Sequence, residues 1–255
     1  MELRMKELYA DFYENKGKPL VVVIGSITPG IPKISKKLSK YLKSNYSLLL
    51  LAYFGVGDLP KKLERLPLEY FINAINYFKE KLGLLEKDII FIGSNKGAEL
   101  VLLLSSKYLN PGIVVACEPS CYVWQSIPNG FKSMLFPKSS WSYNKKDIPY
   151  VKYKYNSKIL NDIKHHAFIS SYLYSIEKNK NKYATININQ YQGKVLLLSS
   201  EKDYYWPSKA MCEFISKMRT ENTEYYVINC NGDQLLEYEE SSQRIINFLN
   251  RMKNH

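Results

Sequence analysis

The sequence holds few of the residues on which hydrolytic and metal chemistry usually rests. Histidine occurs three times in 255 residues, at His165, His166 and His255. Cysteine occurs four times, at Cys117, Cys121, Cys212 and Cys230, with no paired spacing that suits a metal. Cys117 and Cys121 lie four apart with no histidine near them, so neither a metal nor a cofactor is expected. No signal peptide is recognised at the N-terminus, and the cysteines read as reduced thiols of a cytoplasmic protein. Long hydrophobic runs are missing too. The longest, such as Leu48 to Phe54, falls well short of the about 20 apolar residues that cross a bilayer.

Positive charge is plentiful. Thirty-six Lys and Arg against 24 Asp and Glu leave a net charge of +12, which can attract nucleic acid, anionic lipid or phosphorylated ligands. The lysines are scattered, however, along expected polar helix faces. The densest group, Lys33, Lys36, Lys37, Lys40 and Lys43, sits at helical spacing beside Ile34, Leu38 and Leu42 and reads as a solvated helix face. The 22 tyrosines do not alternate with basic residues as a base-stacking platform would require. No nucleic-acid partner is expected.

Short apolar runs alternate with segments of helical period, which predicts parallel strands joined by crossover helices. Strands are predicted at Pro19 to Gly25, Tyr46 to Tyr53, Asp88 to Ile92, Gly112 to Cys117, Lys194 to Ser199 and Glu224 to Asn229. Helices are predicted around residues 33–43, 68–78, 98–104, 207–218 and 238–252. The periodicity fades between about residues 119 and 192. That length is too great for a structureless loop in a compact domain, so a cap of loops and short helices is expected there. No internal repeat or composition break suggests a second domain, and residues 1–255 are read as one.

The third predicted strand runs straight into Gly93-Ser94-Asn95-Lys96-Gly97. A strand that ends in Gly-x-x-x-Gly and turns at once into a helix exposes its central residue in a strained conformation at the carboxyl edge of the sheet. In serine hydrolases that residue is the nucleophile, and the next backbone N–H helps to bind the oxyanion. Here it is Asn95, whose carboxamide is no nucleophile at neutral pH. Ser94 is adjacent, with its side chain expected to point elsewhere.

Several segments together resemble the C-terminal domain of the acyl-CoA thioesterase and bile acid-CoA:amino acid N-acyltransferase family, an α/β-hydrolase group. They are Ala52-Tyr53-Phe54-Gly55 with Leu59-Pro60, Pro67 to Phe71, Ile92-Gly93 with Lys96 to Leu100, and Ser120 with Tyr122 to Gln125. Ser139 to Tyr143 with Ile148 to Tyr150, and Val195 to Ser199 with Glu201, Asp203 and Trp206-Pro207-Ser208, complete the set. The resemblance runs from about residue 19 to the C-terminus. It implies an α/β-hydrolase fold, with a mostly parallel central sheet, helices on both faces and a small cap.

The resemblance also assigns positions. The family's Ser or Cys nucleophile falls on Asn95, its acid on Asp203 and its histidine on Asp233, in the turn Asn229-Cys230-Asn231-Gly232-Asp233. The oxyanion segment becomes Gly25 to Gly30, with Ser26, Ile27 and Lys96 as candidate binding residues. Two triad positions are therefore substituted, and an ionised carboxylate of ordinary pKa is a poor base for acyl transfer. Facing carboxylates at Asp203 and Asp233 would raise one pKa or hold a cation, with Glu118 as a further ligand. Trp124, Trp141 and Trp206, with the tyrosines at 122, 143, 204 and 205, either line a pocket for an acyl chain or pack cap against core. His165 or His166 either reaches the pocket from the cap or sits in a surface loop.

Three functions follow. The first is a silent or impaired hydrolase homologue that binds acyl-CoA, an acyl group or a small ester or thioester in the remnant pocket. The second is an active esterase or thioesterase using Ser94. The third is a basic-surface binding protein. The oligomeric state is not legible.

Overall fold

The computed structural model describes residues 2–5, 8–128, 131–232 and 234–253. Eleven strands and eight α-helices are labelled in chain order among them. The strands are β1 (Glu2–Met5), β2 (Leu8–Tyr13), β3 (Leu20–Ile24), β4 (Ser47–Leu51), β5 (Leu66–Pro67), β6 (Ile89–Ser94), β7 (Ile113–Cys117), β8 (Trp141–Tyr143), β9 (Lys146–Asp147), β10 (Lys194–Ser200) and β11 (Thr223–Ile228). The helices are α1 (Lys36–Asn45), α2 (Leu68–Leu82), α3 (Lys96–Lys107), α4 (Phe131–Leu135), α5 (Ser157–Lys164), α6 (Ile169–Glu177), α7 (Ser208–Met218) and α8 (Glu239–Lys253).

Eight strands form one sheet in the order β1-β2-β4-β3-β6-β7-β10-β11. It is antiparallel at the β1–β2 and β2–β4 pairings and parallel from β4 to β11. The central strands read as unbroken apolar runs because both sheet faces are covered. Their side chains divide with period two. Val22, Ile24, Phe91, Val114 and Leu197 pack with Phe71 and Phe78 of α2, Leu100 and Leu104 of α3 and Ile215 of α7. Val21, Val23, Ile92, Val115 and Leu196 pack with Leu38 and Leu42 of α1 and Ile245, Phe248 and Leu249 of α8. Each fully buried Val, Leu, Ile or Phe contributes about 1.5–3 kcal/mol, so these two layers carry the frame.

The predicted strands and helices are all present, with boundaries moved by local chemistry. The lysine-rich helix starts at Lys36, not Lys33, because Ser35 caps it: the Ser35 Oγ accepts the Leu38 N–H at 3.0 Å and meets the Ser242 Oγ of α8 at 2.7 Å. Helix α2 begins after Pro67 and ends at Gly83, whose φ of 64° provides the left-handed stop. The β1–β2 hairpin is outside what the sequence pattern predicts. Residues 119–192 hold α4, α5, α6, β8 and β9, and β8 joins β9 and the distant β5 in a small second sheet. No helix among the described residues is long and apolar enough to cross a membrane.

Candidate active-site cleft

The turn from β6 into α3 forms because two glycines let three backbones meet. A Cβ on Gly97 would lie 2.3 Å from the carbonyl oxygens of Ile24 and Gly25, and one on Gly93 would lie 2.4 Å from the Gly97 carbonyl oxygen. Between them Asn95 adopts φ 51° and ψ −109°, a conformation that costs a side-chain-bearing residue about 1–3 kcal/mol. The strain is held by hydrogen bonds on both sides. The Asn95 N–H donates to Cys117 O at 2.8 Å, and the Glu99 N–H donates to Asn95 O at 3.0 Å.

Asn95 lines a cleft together with Ile27, Lys96, Glu99, Ser120, Trp124, Ile127, Tyr153, Tyr172, Tyr205 and Trp206. The aromatic wall is self-supporting. Trp124 stacks on Tyr153 at 5.4 Å and meets Trp206 edge-on at 5.5 Å, and Tyr172 contacts Trp206 at 4.4 Å. Both indole N–H groups are committed within the protein: Trp124 Nε1 donates to Ser120 Oγ at 2.9 Å and Trp206 Nε1 to Pro119 O at 3.0 Å. Burial pushes the phenols of Tyr153 and Tyr172 above their ordinary value, so both stay neutral at physiological pH. The surface offered to a ligand is mainly apolar.

Beneath it lies a buried ion pair. Lys96 Nζ donates to Glu99 Oε2 at 2.8 Å, with side-chain exposures of 7% and 2%. Glu99 Oε1 accepts Trp141 Nε1 at 2.8 Å and the Trp124 backbone N–H at 3.2 Å. Burial pulls the Lys96 ammonium down and pushes the Glu99 carboxyl up, and the attraction between them opposes both shifts. One carboxylate thus joins the first turn of α3 to two segments of the 119–192 region.

The loop after β3 divides two cavities. Ile27 faces the cleft, while Ser26, Thr28 and Lys33 line a second cavity with Ser94 and Gln234. The Tyr53 hydroxyl braces this loop by donating to the carbonyl oxygens of Gly25 and Ser26. Ser94 is buried, and its Oγ has no hydrogen-bond partner among the described residues. It lies on the side of the second cavity, away from Asn95.

Asp203 is half-buried, and its Oδ1 accepts the N–H groups of Tyr205 at 3.0 Å and Trp206 at 2.8 Å. A Cβ on Gly232 would lie 2.8 Å from that oxygen, so the turn after β11 closes against Asp203. Asp233 and His255 lie outside the described residues, and the expected Asp203–Asp233 pairing lies outside them as well. Glu118 is buried with φ 52° and accepts the Ser200 hydroxyl at 2.6 Å. No group of three or more His, Cys, Asp or Glu among the described residues could hold a metal ion.

His165 and His166 are both exposed between α5 and α6, and neither lines the cleft. His165 Nδ1 is 2.8 Å from Asn161 O, and His166 rests 5.9 Å from the Phe168 ring. The aromatic expectation divides. Trp124, Trp206 and Tyr205 line the cleft, Trp141 is fully buried against Tyr53 and Phe71, and Tyr122 and Tyr143 pack on Phe214 and Tyr108. Tyr204 is exposed. Sequence reading missed Tyr153, Tyr172, Ile127 and Glu99 in the cleft. Glu99 alone carried a signal, in Lys-Gly-Ala-Glu.

Residues 66–228, well over half of the chain, match the family described as BAAT / acyl-CoA thioester hydrolase C terminal. That match is narrower than the span from residue 19 expected from individual motifs. Among curated proteins, acyl-coenzyme A amino acid N-acyltransferase 1 of Mus musculus is 25% identical over 164 residues, covering 64% of this chain and 35% of its own length. Acyl-coenzyme A thioesterase 6 of Homo sapiens is 30% identical over 118 residues, covering 43% and 28%. The chain spans about a third or less of these relatives. Solved α/β-hydrolase-fold structures match nearly end to end. A lipase-esterase related protein from Clostridium acetobutylicum superposes with a TM-score of 0.57 at 18% identity, covering 96% of this chain and 99% of its own. An esterase from Pyrococcus furiosus superposes with a TM-score of 0.58 at 16% identity, covering 96% and 87%. On the family match and the sheet that carries it, the chain belongs to the BAAT / acyl-CoA thioester hydrolase C-terminal family and has the α/β-hydrolase fold.

Proposed function

We propose that this chain is a catalytically silent member of its family that binds an acyl-CoA, or a small ester or thioester, through the aromatic cleft above Asn95. The observation that carries the reading is the residue at the elbow. Acyl transfer requires a nucleophile whose proton passes to a base poised near neutral pH. The Asn95 carboxamide has no such proton to give and no usable lone pair on nitrogen. Asp203 holds backbone N–H groups in the place the family gives to its acid. The resemblance puts the base position on Asp233, and neither of the two histidines in the described residues lines the cleft.

What the frame retains is shape. Trp124, Tyr153, Tyr172 and Trp206 offer an apolar surface whose polar atoms are already engaged, which suits an acyl chain. Residues 119–192 act as a cap over the sheet edge within a single domain. The four free, buried cysteines fit a cytoplasmic location.

The test pairs turnover with binding. Purified protein is assayed on short- and long-chain acyl-CoA and on p-nitrophenyl esters, beside Ser94→Ala, and decanoyl-CoA binding is followed by calorimetry. Binding without turnover above the variant's baseline supports the proposal. Turnover that Ser94→Ala abolishes would overturn it in favour of the serine, whose unpartnered Oγ is the observation behind that second reading.

A further inference from the structure

A concavity of about 840 Å³, open to solvent, lies on the outer side of the segment that forms one cleft wall. Lys152 and Lys154 line it from one side, and Lys178 and Lys180 line it from just beyond the end of α6, together with Asn179 and Asn181. The extended backbone explains the division of labour. Tyr153 turns inward and stacks on Trp124 in the cleft, while its two lysine neighbours turn outward.

The lysines project from a fixed frame. The Tyr153 N–H donates to Gln125 Oε1 at 3.1 Å, and the Lys154 N–H donates to Ser175 Oγ of α6 at 2.9 Å. The loop beyond α6 is braced by Asn179, whose Oδ1 accepts the Asn181 N–H at 3.1 Å and whose Nδ2 donates to Asn181 O at 3.2 Å. Fold stability accounts for only one of the four cations. Lys178 pairs with Glu177 at 2.6 Å and sits at the carbonyl end of α6, where a positive charge is favourable. Among the described residues no carboxylate comes within ion-pair distance of Lys152, Lys154 or Lys180. Three uncompensated ammonium groups facing one concavity repel one another and concentrate anions there. A compact, strongly hydrated ammonium suits phosphate as a point charge.

We infer that this basin binds a small ligand carrying two or more phosphate groups. The assignment stands independently of the ligand in the cleft.

The full chain is titrated with inorganic pyrophosphate and adenosine 3′,5′-bisphosphate, with adenosine as neutral control. Calorimetry and tryptophan fluorescence provide the readout, the latter because Trp124 stacks on the residue between the two lysines. The phosphates are expected to bind and adenosine not to. Raising salt from about 0.1 M to about 1 M should weaken binding, because the screening length falls from about 10 Å to about 3 Å. The Lys152→Gln/Lys154→Gln/Lys180→Gln variant should bind both phosphates about tenfold more weakly and melt as the wild type does. Equal affinity in variant and wild type, or adenosine binding as tightly as the bisphosphate, would overturn the inference. Binding of a long oligonucleotide without binding of the small phosphates would overturn it as well. Decanoyl-pantetheine, which has no phosphate, separates the two sites. Its failure to bind counts against the cleft proposal and leaves the basin untouched.

Discussion

Replacing each member of the Lys96–Glu99 pair, alone and together, tests whether the elbow is held by a buried charge pair. Glu99→Gln keeps an oxygen for the N–H groups of Trp124 and Trp141 but leaves the ammonium of Lys96, 7% exposed, without its carboxylate. Breaking a buried pair from one side costs about 3–5 kcal/mol. Lys96→Met leaves the Glu99 carboxylate with two N–H donors, which reduces the loss to about 3 kcal/mol. The double variant buries no charge and keeps both donors satisfied, so it should cost about 1 kcal/mol. An interaction energy of at least about 5 kcal/mol is therefore expected from the cycle. Urea unfolding measures it: with a slope near 3 kcal/mol per M, each single variant shifts the midpoint by about 1 M.

The pH dependence gives a second signature, because the single variants should slope in opposite directions. In Lys96→Met, burial holds the Glu99 carboxyl above its unfolded value of about 4.3. Between those two values the folded chain keeps a proton that the unfolded chain has lost. Stability therefore falls as pH rises through the window. In Glu99→Gln, burial holds Lys96 below its unfolded value of about 10.4. There the unfolded chain keeps the proton, and stability rises with pH. Additive single variants, or parallel pH slopes, would refute the reasoning.

Three further substitutions probe the frame. Gly97→Ala places a methyl 2.3 Å from two backbone oxygens and should cost about 3 kcal/mol, a fall of about 10 °C in Tm by differential scanning calorimetry. Asn95→Gly relieves the strain at φ 51° and should stabilise the chain by about 1 kcal/mol, read as a higher urea midpoint. Tyr53→Phe removes the hydroxyl that bridges Gly25 O and Ser26 O; a loss of about 1 kcal/mol and faster hydrogen exchange in residues 26–30 are expected.

The sheet was legible in the sequence because strands covered on both faces must be apolar at every position. Residues 20–24, 48–51 and 89–92 are such runs. The elbow was legible because Gly93 and Gly97 bracket one turn at a spacing that only a close strand–helix approach explains. The β1–β2 hairpin was not, since Leu8–Tyr13, next to the edge strand, is only alternately buried and carries Asp11 among its apolar residues. The cleft was half legible. Trp124 and Trp206 sit in recognisable motifs, whereas Tyr153 and Tyr172 lie in a stretch without periodicity, and only the tertiary fold brings them to Trp124. The small sheet was invisible for the same reason: β5 and β8 are two and three residues long and about 75 residues apart in the chain.

The elbow's persistence around Asn95 has a structural explanation that requires no reaction. A strained φ survives only where surrounding contacts over-determine it, and here those contacts do not involve the residue's side-chain chemistry. Gly93 and Gly97 close the approach of β6, α3 and the end of β3, while backbone hydrogen bonds to Cys117 and Glu99 fix Asn95 on both sides. Glu99 then ties the same turn to Trp124 and Trp141. Exchanging a nucleophile for asparagine at this position removes the reactive atom and leaves each of these contacts in place. The cleft above it keeps its shape for the same reason, since its aromatic walls lean on one another and on Glu99 rather than on the residue at the elbow. On the proposed reading, Asn95→Ser and Asp233→His together return the nucleophile and the base that acyl transfer needs. The Asn95→Ser/Asp233→His variant is expected to hydrolyse p-nitrophenyl esters above the background of either single variant. A double variant that folds with the wild-type melting temperature, binds decanoyl-CoA and still shows no turnover would count against assigning the nucleophile to position 95 and the base to position 233.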